Sequence, residues 1–172
     1  DKTAVLEFKK GRQFAEEGKD DQALEALSKA IEKHKGHANA YEKRARVLLQ
    51  LENYEEALED YGKAINLDDS IAEAFYGRSI IYMRLNEIDK AVADLEMTLK
   101  RAVALEPIYW RARLKKANIH IDRKEWAKAS FDLKFFTNRK FPEDSTNYKM
   151  KAYSLYKYGK VLMEEEKFGE AH

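Results

Sequence analysis

The chain has 172 residues, an apolar fraction of 44%, a charged fraction of 37% and a formal net charge of +1. This length and apolar content suffice for a continuous core, and the balanced charge argues against a disordered polyelectrolyte. The absence of cysteine excludes disulfides, thiolate zinc sites and cysteine nucleophiles. No apolar run has the length of a membrane span, and the opening residues do not resemble a signal peptide. We therefore expect an intracellular, cytoplasmic location without membrane insertion.

A repeated phrase centred on alanine organises the chain. Ala23, Ala57, Ala91, Ala129 and Ala171 each follow an aromatic or turn residue and a few polar residues, and each precedes an amphipathic run. The intervals between these alanines are 34, 34, 38 and 42 residues. A period in this range predicts a stacked repeat architecture, in which each unit contacts only its neighbours.

Within one period, apolar residues recur at the spacing of an α-helix. In residues 38–69, one apolar stripe starts at Tyr41 and ends at Leu51, and a second starts at Ala57 and ends at Ile65. The polar pair Glu52-Asn53 separates them and predicts a turn. Each period is therefore predicted to be a helix–turn–helix unit that must stack, because it cannot bury both stripes alone.

These units resemble tetratricopeptide repeats (TPRs). The residues that match the family pattern are Gly11, Phe14, Ala23, Leu27 and Ala30; then Tyr41, Ala45, Leu48, Tyr54, Ala57, Tyr61 and Ala64; then Phe75, Ser79, Tyr82, Ile88, Ala91 and Leu95; then Ala117, Trp126, Ala129, Leu133 and Phe136; and finally Leu155, Tyr158, Gly159, Leu162, Phe168 and Ala171. The resemblance implies an all-α fold, a right-handed α-solenoid of about four and a half repeats. We expect one array over 1–172, with repeats at about 4–37, 38–71, 72–109 and 110–151 and a partial repeat at 152–172.

The two longer intervals predict local departures from this pattern. Four extra residues in LKRAVALEP predict that the second helix of the third unit is extended and stops before Pro107. Eight extra residues around 141–146 predict that the first helix of the fifth unit starts early, near Asn147. The final phrase KFGEA predicts a turn and a second helix, so we expect a fragment of a longer array; the alternative is a terminal cap at 147–166.

Motifs for catalysis or metal binding are absent from the sequence. His34 and His37 stand three residues apart, but the expected helix cap at Gly36 separates them and no third ligand lies nearby in sequence. His120 falls where the repeat expects an aromatic residue, which predicts a packing role. The sequence contains no nucleophile–base motif and no phosphate-binding loop. We therefore predict no catalytic residues, no metal, no cofactor and no enzymatic activity.

The resemblance implies that the first helix of each unit lines a concave, partner-binding groove. By helical spacing, the groove residues are Phe8, Lys9, Arg12, Asn39, Lys43, Arg46, Tyr76, Ile80, Arg111, Leu114, Lys115, Asn118, Tyr156, Lys157 and Lys160, with Glu42, Glu73, Gly77 and Tyr153 beside them. Eight of these residues are basic and two are acidic, although the chain is nearly neutral. Such a groove suits an acidic peptide, because carboxylates gain charge-assisted hydrogen bonds and apolar residues act as anchors.

The leading hypothesis is therefore a non-enzymatic scaffold or adaptor that binds an acidic segment of a partner protein. One alternative is RNA binding, because residues 110–141 contain ten basic and three acidic residues. A second alternative is a chaperone adaptor with an atypical carboxylate clamp. The clamp positions hold Phe8, Arg12, Lys43, Glu73 and Gly77, or in the next register Glu42, Arg46, Gly77, Arg111 and Lys115, which predicts that the usual clamp is absent. Self-association through the partial repeat is compatible with the scaffold.

Overall fold

The computed structural model describes residues 1–142 and 146–170, and every regular element in them is an α-helix. The helices are α1 (Lys2–Glu16), α2 (Asp20–Lys33), α3 (Ala38–Gln50), α4 (Tyr54–Leu67), α5 (Ala72–Arg84), α6 (Ile88–Arg101), α7 (Pro107–Asp122), α8 (Trp126–Lys134) and α9 (Thr146–Glu170). The all-α prediction is confirmed. Within the described ranges, no helix combines the length and the apolar character needed to span a bilayer.

The chain divides into two compact units, Asp1–Asp94 and Leu95–His172, and the boundary falls within α6. In the first unit, α1 pairs with α2 and α3 pairs with α4, while α2 packs on α3 and α4 on α5. The first helices also touch one another, because α3 contacts both α1 and α5. In the second unit, α7 pairs with α8, and both pack against α9. Each hairpin thus buries its remaining apolar surface against a neighbour, as the sequence predicts.

The repeated alanine is a fully buried position in each hairpin. Ala23, Ala57, Ala91 and Ala129 have no exposed surface, whereas Ala171 lies outside the described residues. Four residues after each of the four buried alanines, the chain places a fully buried larger side chain: Leu27, Tyr61, Leu95 and Leu133. The small residue lets the two helices approach closely, and the larger one fills the space beside it.

The turn between the two helices of each hairpin uses one residue in the left-handed region. These residues are Gly18 (φ 71°), Glu52 (φ 61°), Asn86 (φ 60°) and Lys124 (φ 57°), each five positions before the buried alanine. The amide of the next residue donates to a carbonyl five positions back, as in Asn53 N to Leu48 O at 2.9 Å. The same bond closes the other three turns, which is the Schellman arrangement. The turn predicted at Glu52-Asn53 is confirmed.

The second unit is built around Trp110, which is 3% exposed. Its indole Nε1 donates to the carbonyl oxygen of Ala104 at 2.7 Å, and its ring lies 5.0 Å from the rings of Phe136 and Phe141. Trp110 therefore has a packing role in the core of the second unit. His120 is likewise buried, with its Nδ1 2.5 Å from Oε2 of Glu125.

The prediction of an extended second helix in the third unit is wrong. Helix α6 has 14 residues, the same length as α2 and α4, and it ends at Arg101. The additional residues lie mainly in α7, which has 16 residues against 13 in α3 and α5. Pro107 does not terminate a helix but begins α7, where its missing amide proton is not needed and its fixed φ suits the first turn.

Two further predictions concern helix ends. Helix α9 begins at Thr146, so its early start is confirmed, but it runs unbroken to Glu170 and the turn expected before KFGEA is wrong. Residues 164–167 are good helix formers, and no second helix packs back on α9 among the described residues to impose a turn there. The cap expected at Gly36 is also wrong, because α2 ends at Lys33 and His34 is extended.

We expect Glu52→Gly to stabilise the chain, because a side chain at φ 61° costs about 1 kcal/mol that glycine avoids. A gain of this size raises the melting temperature by about 2–4 °C in a chain of this length. Thermal unfolding followed by circular dichroism checks it. The matched control is Glu56→Gly inside α4, which should cost about 1 kcal/mol. Destabilisation by both variants would contradict the strain assigned to the turn.

We expect Gly77→Ala to destabilise the chain, because a Cβ at this position would lie 2.2 Å from both Cζ and Oη of buried Tyr61. Relieving this overlap should cost about 1–3 kcal/mol, measured by urea denaturation. The matched control is Gly62→Ala in α4, where a Cβ would meet no atom within 4 Å. Because alanine is the better helix former, the control should gain up to about 1 kcal/mol. Equal effects of the two variants would rule out the close approach.

Candidate functional site

The predicted groove residues of the first unit lie on α1, α3 and α5. Those with well exposed side chains are Lys9, Arg12, Asn39 and Arg46, whereas Phe8, Lys43, Tyr76 and Ile80 are half-buried. Phe8 packs against the core, and its ring centroid is 4.6 Å from that of His37. Its burial therefore reflects packing between the helices of the first unit.

A buried carboxylate lies among the charges of α3. Glu42 is 2% exposed, and its Oε2 is 3.0 Å from Nζ of Lys43. Burial raises the pKa of Glu42, and this effect outweighs the attraction of Lys43. Burial also raises the pKa of Tyr61, with a smaller contribution from the negative charge of Glu42. The ammonium group of Lys43 is thus already in contact with the carboxyl group of its neighbour Glu42.

The predicted groove residues of the second unit lie on α7 and α9. Arg111, Tyr156 and Lys160 are exposed, while Leu114, Lys115, Asn118 and Lys157 are half-buried. Leu114 packs against the core cluster that contains Ala117, Leu133 and Val161. The structure does bring Tyr156, Lys157 and Lys160 together, at the edge of a cavity.

This cavity, of about 680 Å³, lies where α9 passes the turn between α7 and α8. We call it the α9 cavity, and its lining residues are Ile121, Trp126, Tyr153, Tyr156, Lys157, Lys160, Val161, Met163 and Glu164. Its volume is in the range of small-molecule or side-chain binding pockets. Its two tyrosines and one tryptophan are of the residue types that are enriched at recognition sites.

The lysines of the α9 cavity stand beside its tyrosine rings. Lys157 Nζ is 5.3 Å from the ring centroid of Tyr153, and Lys160 Nζ is 4.7 Å from that of Tyr156. A hydrogen bond to Tyr156 raises the pKa of Lys160, so this side chain stays cationic. The acid on the rim, Glu164, lies 2.7 Å from Lys167. The rim can therefore offer positive charge beside apolar surface.

Sequence reasoning missed a series of ion pairs that join the helices of a hairpin. Arg44 contacts Asp60 through two bonds of 2.6 and 2.9 Å, and Arg78 contacts Asp94 through two of 2.8 Å. In the fourth repeat, Asp132 lies 3.1 Å from Arg113 and 3.5 Å from Lys116. The signal was present in the sequence, because each aspartate follows its repeat alanine by three residues. These charges fasten helices together and are not surface charges.

Family models match most of the helical repeats. Two models described as tetratricopeptide repeat match residues 5–37 and 76–132, and one described as TPR repeat matches 45–86. The second TPR domain of Spaghetti (RPAP3), solved with the HSP90 peptide SRMEEVD, is 32% identical with a TM-score of 0.57, over 58% of this chain and 93% of that one. The chain belongs to the tetratricopeptide repeat family.

Other solved TPR structures share the fold of this TPR protein at lower identity. The first TPR domain of Spaghetti (RPAP3) is 23% identical with a TM-score of 0.64, over 72% of this chain and 94% of that one. MamA is 19% identical with a TM-score of 0.66, over 98% of this chain and 94% of that one. The search among curated proteins found no match. The TPR-like α-solenoid prediction is confirmed.

Three of the carboxylate clamp positions of this TPR protein, those of Phe8, Glu73 and Gly77, offer a carboxylate no donor from a side chain. Phe8 is committed to packing, and Glu73 is exposed and negative. Gly77 offers no side chain, and Tyr61 occupies the space beside it.

His34 and His37 place their rings 5.9 Å apart, and the described residues contain no group of three or more potential metal ligands.

We expect Glu42→Gln to stabilise this TPR protein near neutral pH. The folded-state pKa of Glu42 lies above its unfolded value, so folding favours the protonated carboxyl and loses stability as pH rises through the folded-state pKa. The free energy of unfolding from urea denaturation should thus be higher for the variant than for the unchanged chain at about pH 7, and the difference should vanish below about pH 4. The control, exposed Glu73→Gln, should show little change. Lower stability of Glu42→Gln at neutral pH would mean that the contact with Lys43 dominates.

Proposed function

We propose that this chain is a non-enzymatic protein-interaction module that holds an acidic segment of a partner protein against the first-helix faces of its repeats. The observation that carries this proposal is the α9 cavity, in which Lys157 and Lys160 stand beside aromatic and aliphatic side chains. Carboxylates of a partner would gain charge-assisted hydrogen bonds from these lysines. An apolar side chain of the same segment would fill the cavity between Ile121 and Trp126.

The related Spaghetti domain supports an acidic ligand in general terms. Its peptide, SRMEEVD, carries three acidic side chains. The composition of the clamp positions here argues for a different acidic sequence, because Glu73 would repel a carboxylate and Gly77 offers no donor from a side chain. We therefore propose an adaptor that is related to peptide-binding TPR domains but recognises its own motif. The cytoplasmic location remains part of the proposal, and the lack of cysteine is compatible with it.

A photo-crosslinking residue at Tyr156 tests the proposal. We expect it to capture a protein segment rich in Asp and Glu from a cell extract, because Tyr156 borders the cationic rim of the α9 cavity. The double variant Lys157→Glu and Lys160→Glu should reduce the yield about tenfold or more, since it reverses the charge that meets the carboxylates. Mass spectrometry identifies the crosslinked peptide.

The matched control places the same crosslinker at Lys90, which is exposed on α6 and outside the α9 cavity. It should not capture the acidic segment. Unlabelled SRMEEVD should not compete, because Glu73 and Gly77 stand at clamp positions that would have to donate to its carboxylate. Crosslinks that disappear on ribonuclease treatment would favour the RNA alternative, and capture that is insensitive to charge reversal would remove the α9 cavity from the proposal.

A further inference from the structure

Two phenylalanines are exposed together at the end of helix α8, Phe131 within the helix and Phe135 as its C-cap. Phe131 is 62% exposed and Phe135 is 42% exposed, and their ring centroids are 5.4 Å apart with the edge of one ring against the other. Positions four residues apart lie on one face of a helix, so the two rings form a single apolar patch. Neither ring lines the α9 cavity. We call this pair the α8 patch.

The same register carries ion pairs in the first two repeats. The two positions of the α8 patch lie two and six residues after the buried alanine, and the equivalent residues are Glu25 with Lys29 and Glu59 with Lys63. Both pairs form salt bridges, at 2.5 and 2.6 Å, on a solvated helix face. The third repeat has Ala93 and Met97 at these positions. This helix face is therefore charged and solvated in the first two repeats and apolar in the fourth.

The α8 patch is held in place from beneath. The Arg113 guanidinium carbon lies 3.7 Å from the ring centroid of Phe135. Arg113 is itself 7% exposed, and it donates to Asp132 Oδ1 at 3.1 Å and to the hydroxyl of Tyr109 at 2.6 Å. A ring supported by a buried and hydrogen-bonded cation loses little freedom when a partner covers it. Such preorganised aromatic side chains are typical centres of protein interfaces.

The charged side chains that belong to α8 itself and are exposed have one sign. The charged side chains that α8 exposes are Lys128 and Lys134, while its acidic residue, Asp132, is 1% exposed in side-chain terms. Lys128 lies 3.2 Å from Glu125, on the loop before the helix, whereas Lys134 lies beside Phe135 at the other end. The patch is thus apolar in the middle with cations along its length. A complementary surface would be apolar with flanking carboxylates.

We propose that the α8 patch is a second docking surface, which takes an acidic amphipathic segment of a partner protein with an aliphatic or aromatic anchor. This surface is separate from the α9 cavity and does not depend on it. A second copy of the chain fits less well, because a symmetric contact would place Lys128 and Lys134 against the same cations. The partner segment therefore comes from a different protein.

Selection of a phage-displayed random peptide library on the whole chain tests this docking surface. Enriched peptides should combine Leu, Phe or Trp with Asp and Glu. Phe131→Glu should weaken their binding about tenfold or more by fluorescence anisotropy, because it removes the anchor and adds repulsion. Lys134→Glu should weaken binding through charge alone, while Phe131→Leu should retain most of it. The exposure of Phe131 makes misfolding of these variants unexpected, and circular dichroism verifies the fold.

The matched control is Lys157→Glu with Lys160→Glu, which alters the α9 cavity and should leave this binding unchanged. A library that returns no peptide sensitive to Phe131→Glu would overturn the proposal. Two further results would also overturn it. One is concentration-dependent self-association in light scattering that Phe131→Glu abolishes, which would identify a second copy as the occupant. The other is Phe131-dependent binding to vesicles of phosphatidylserine without any peptide binding, which would identify a membrane surface.

Discussion

The close approach of two helices at a fully buried alanine is the constraint on which each hairpin of this chain depends. Ala57 has no exposed surface, and Tyr61 fills the space one turn later. Tyr61 in turn packs against Gly77 of the next hairpin, so the filling residue of one repeat also sets the contact with its neighbour. A larger residue at either small position would separate helices that must touch.

The sequence was sufficient to predict the hairpins but not all of their ends. The alanine period, the apolar stripes and the turn at Glu52-Asn53 are local patterns, and the structure confirms them. Pro107 was misread because a proline can end one helix or begin the next, and the choice depends on where Trp110 packs. The helical course of α9 through residue 167 was missed because a turn such as that at Lys124 is imposed by the packing of the second helix, and its sequence alone does not specify it.

Charged residues divide into two classes that the sequence does not separate. Arg44, Arg78 and Arg113 form ion pairs with aspartates of their own hairpins. Glu42 is likewise buried, beside Lys43. The arginines and their aspartates shape the repeat, and the burial of the aspartates makes the loss of either partner costly. Lysines such as Lys160 remain exposed and can meet a partner. The number of charges along the chain therefore exceeds the number available to a partner, and burial decides which charges can contribute to recognition.

The two candidate binding surfaces of the second unit, the α9 cavity and the α8 patch, differ in shape and in the side chains that they expose. The α9 cavity combines depth, aromatic rings and two lysines, whereas the α8 patch offers two rings on a supported helix face. Both are positioned by the same core, because Asp132 and Leu133 of α8 and Val161 of α9 are buried in the second unit. We propose that recognition occurs where the repeat pattern is altered, on a scaffold that the regular positions hold together.

Lysine footprinting of the chain with its crosslinked partner segment, prepared as a synthetic peptide, tests the central claim most directly. We expect saturating peptide to slow the acetylation of Lys157 and Lys160, which border the α9 cavity. The acetylation rates of Lys29 and Lys63, which lie on solvated helix faces, should not change. Mass spectrometry resolves each site. Protection that is absent from Lys157 and Lys160, or equal at all four lysines, would contradict the claim that the first-helix face of α9 holds the partner.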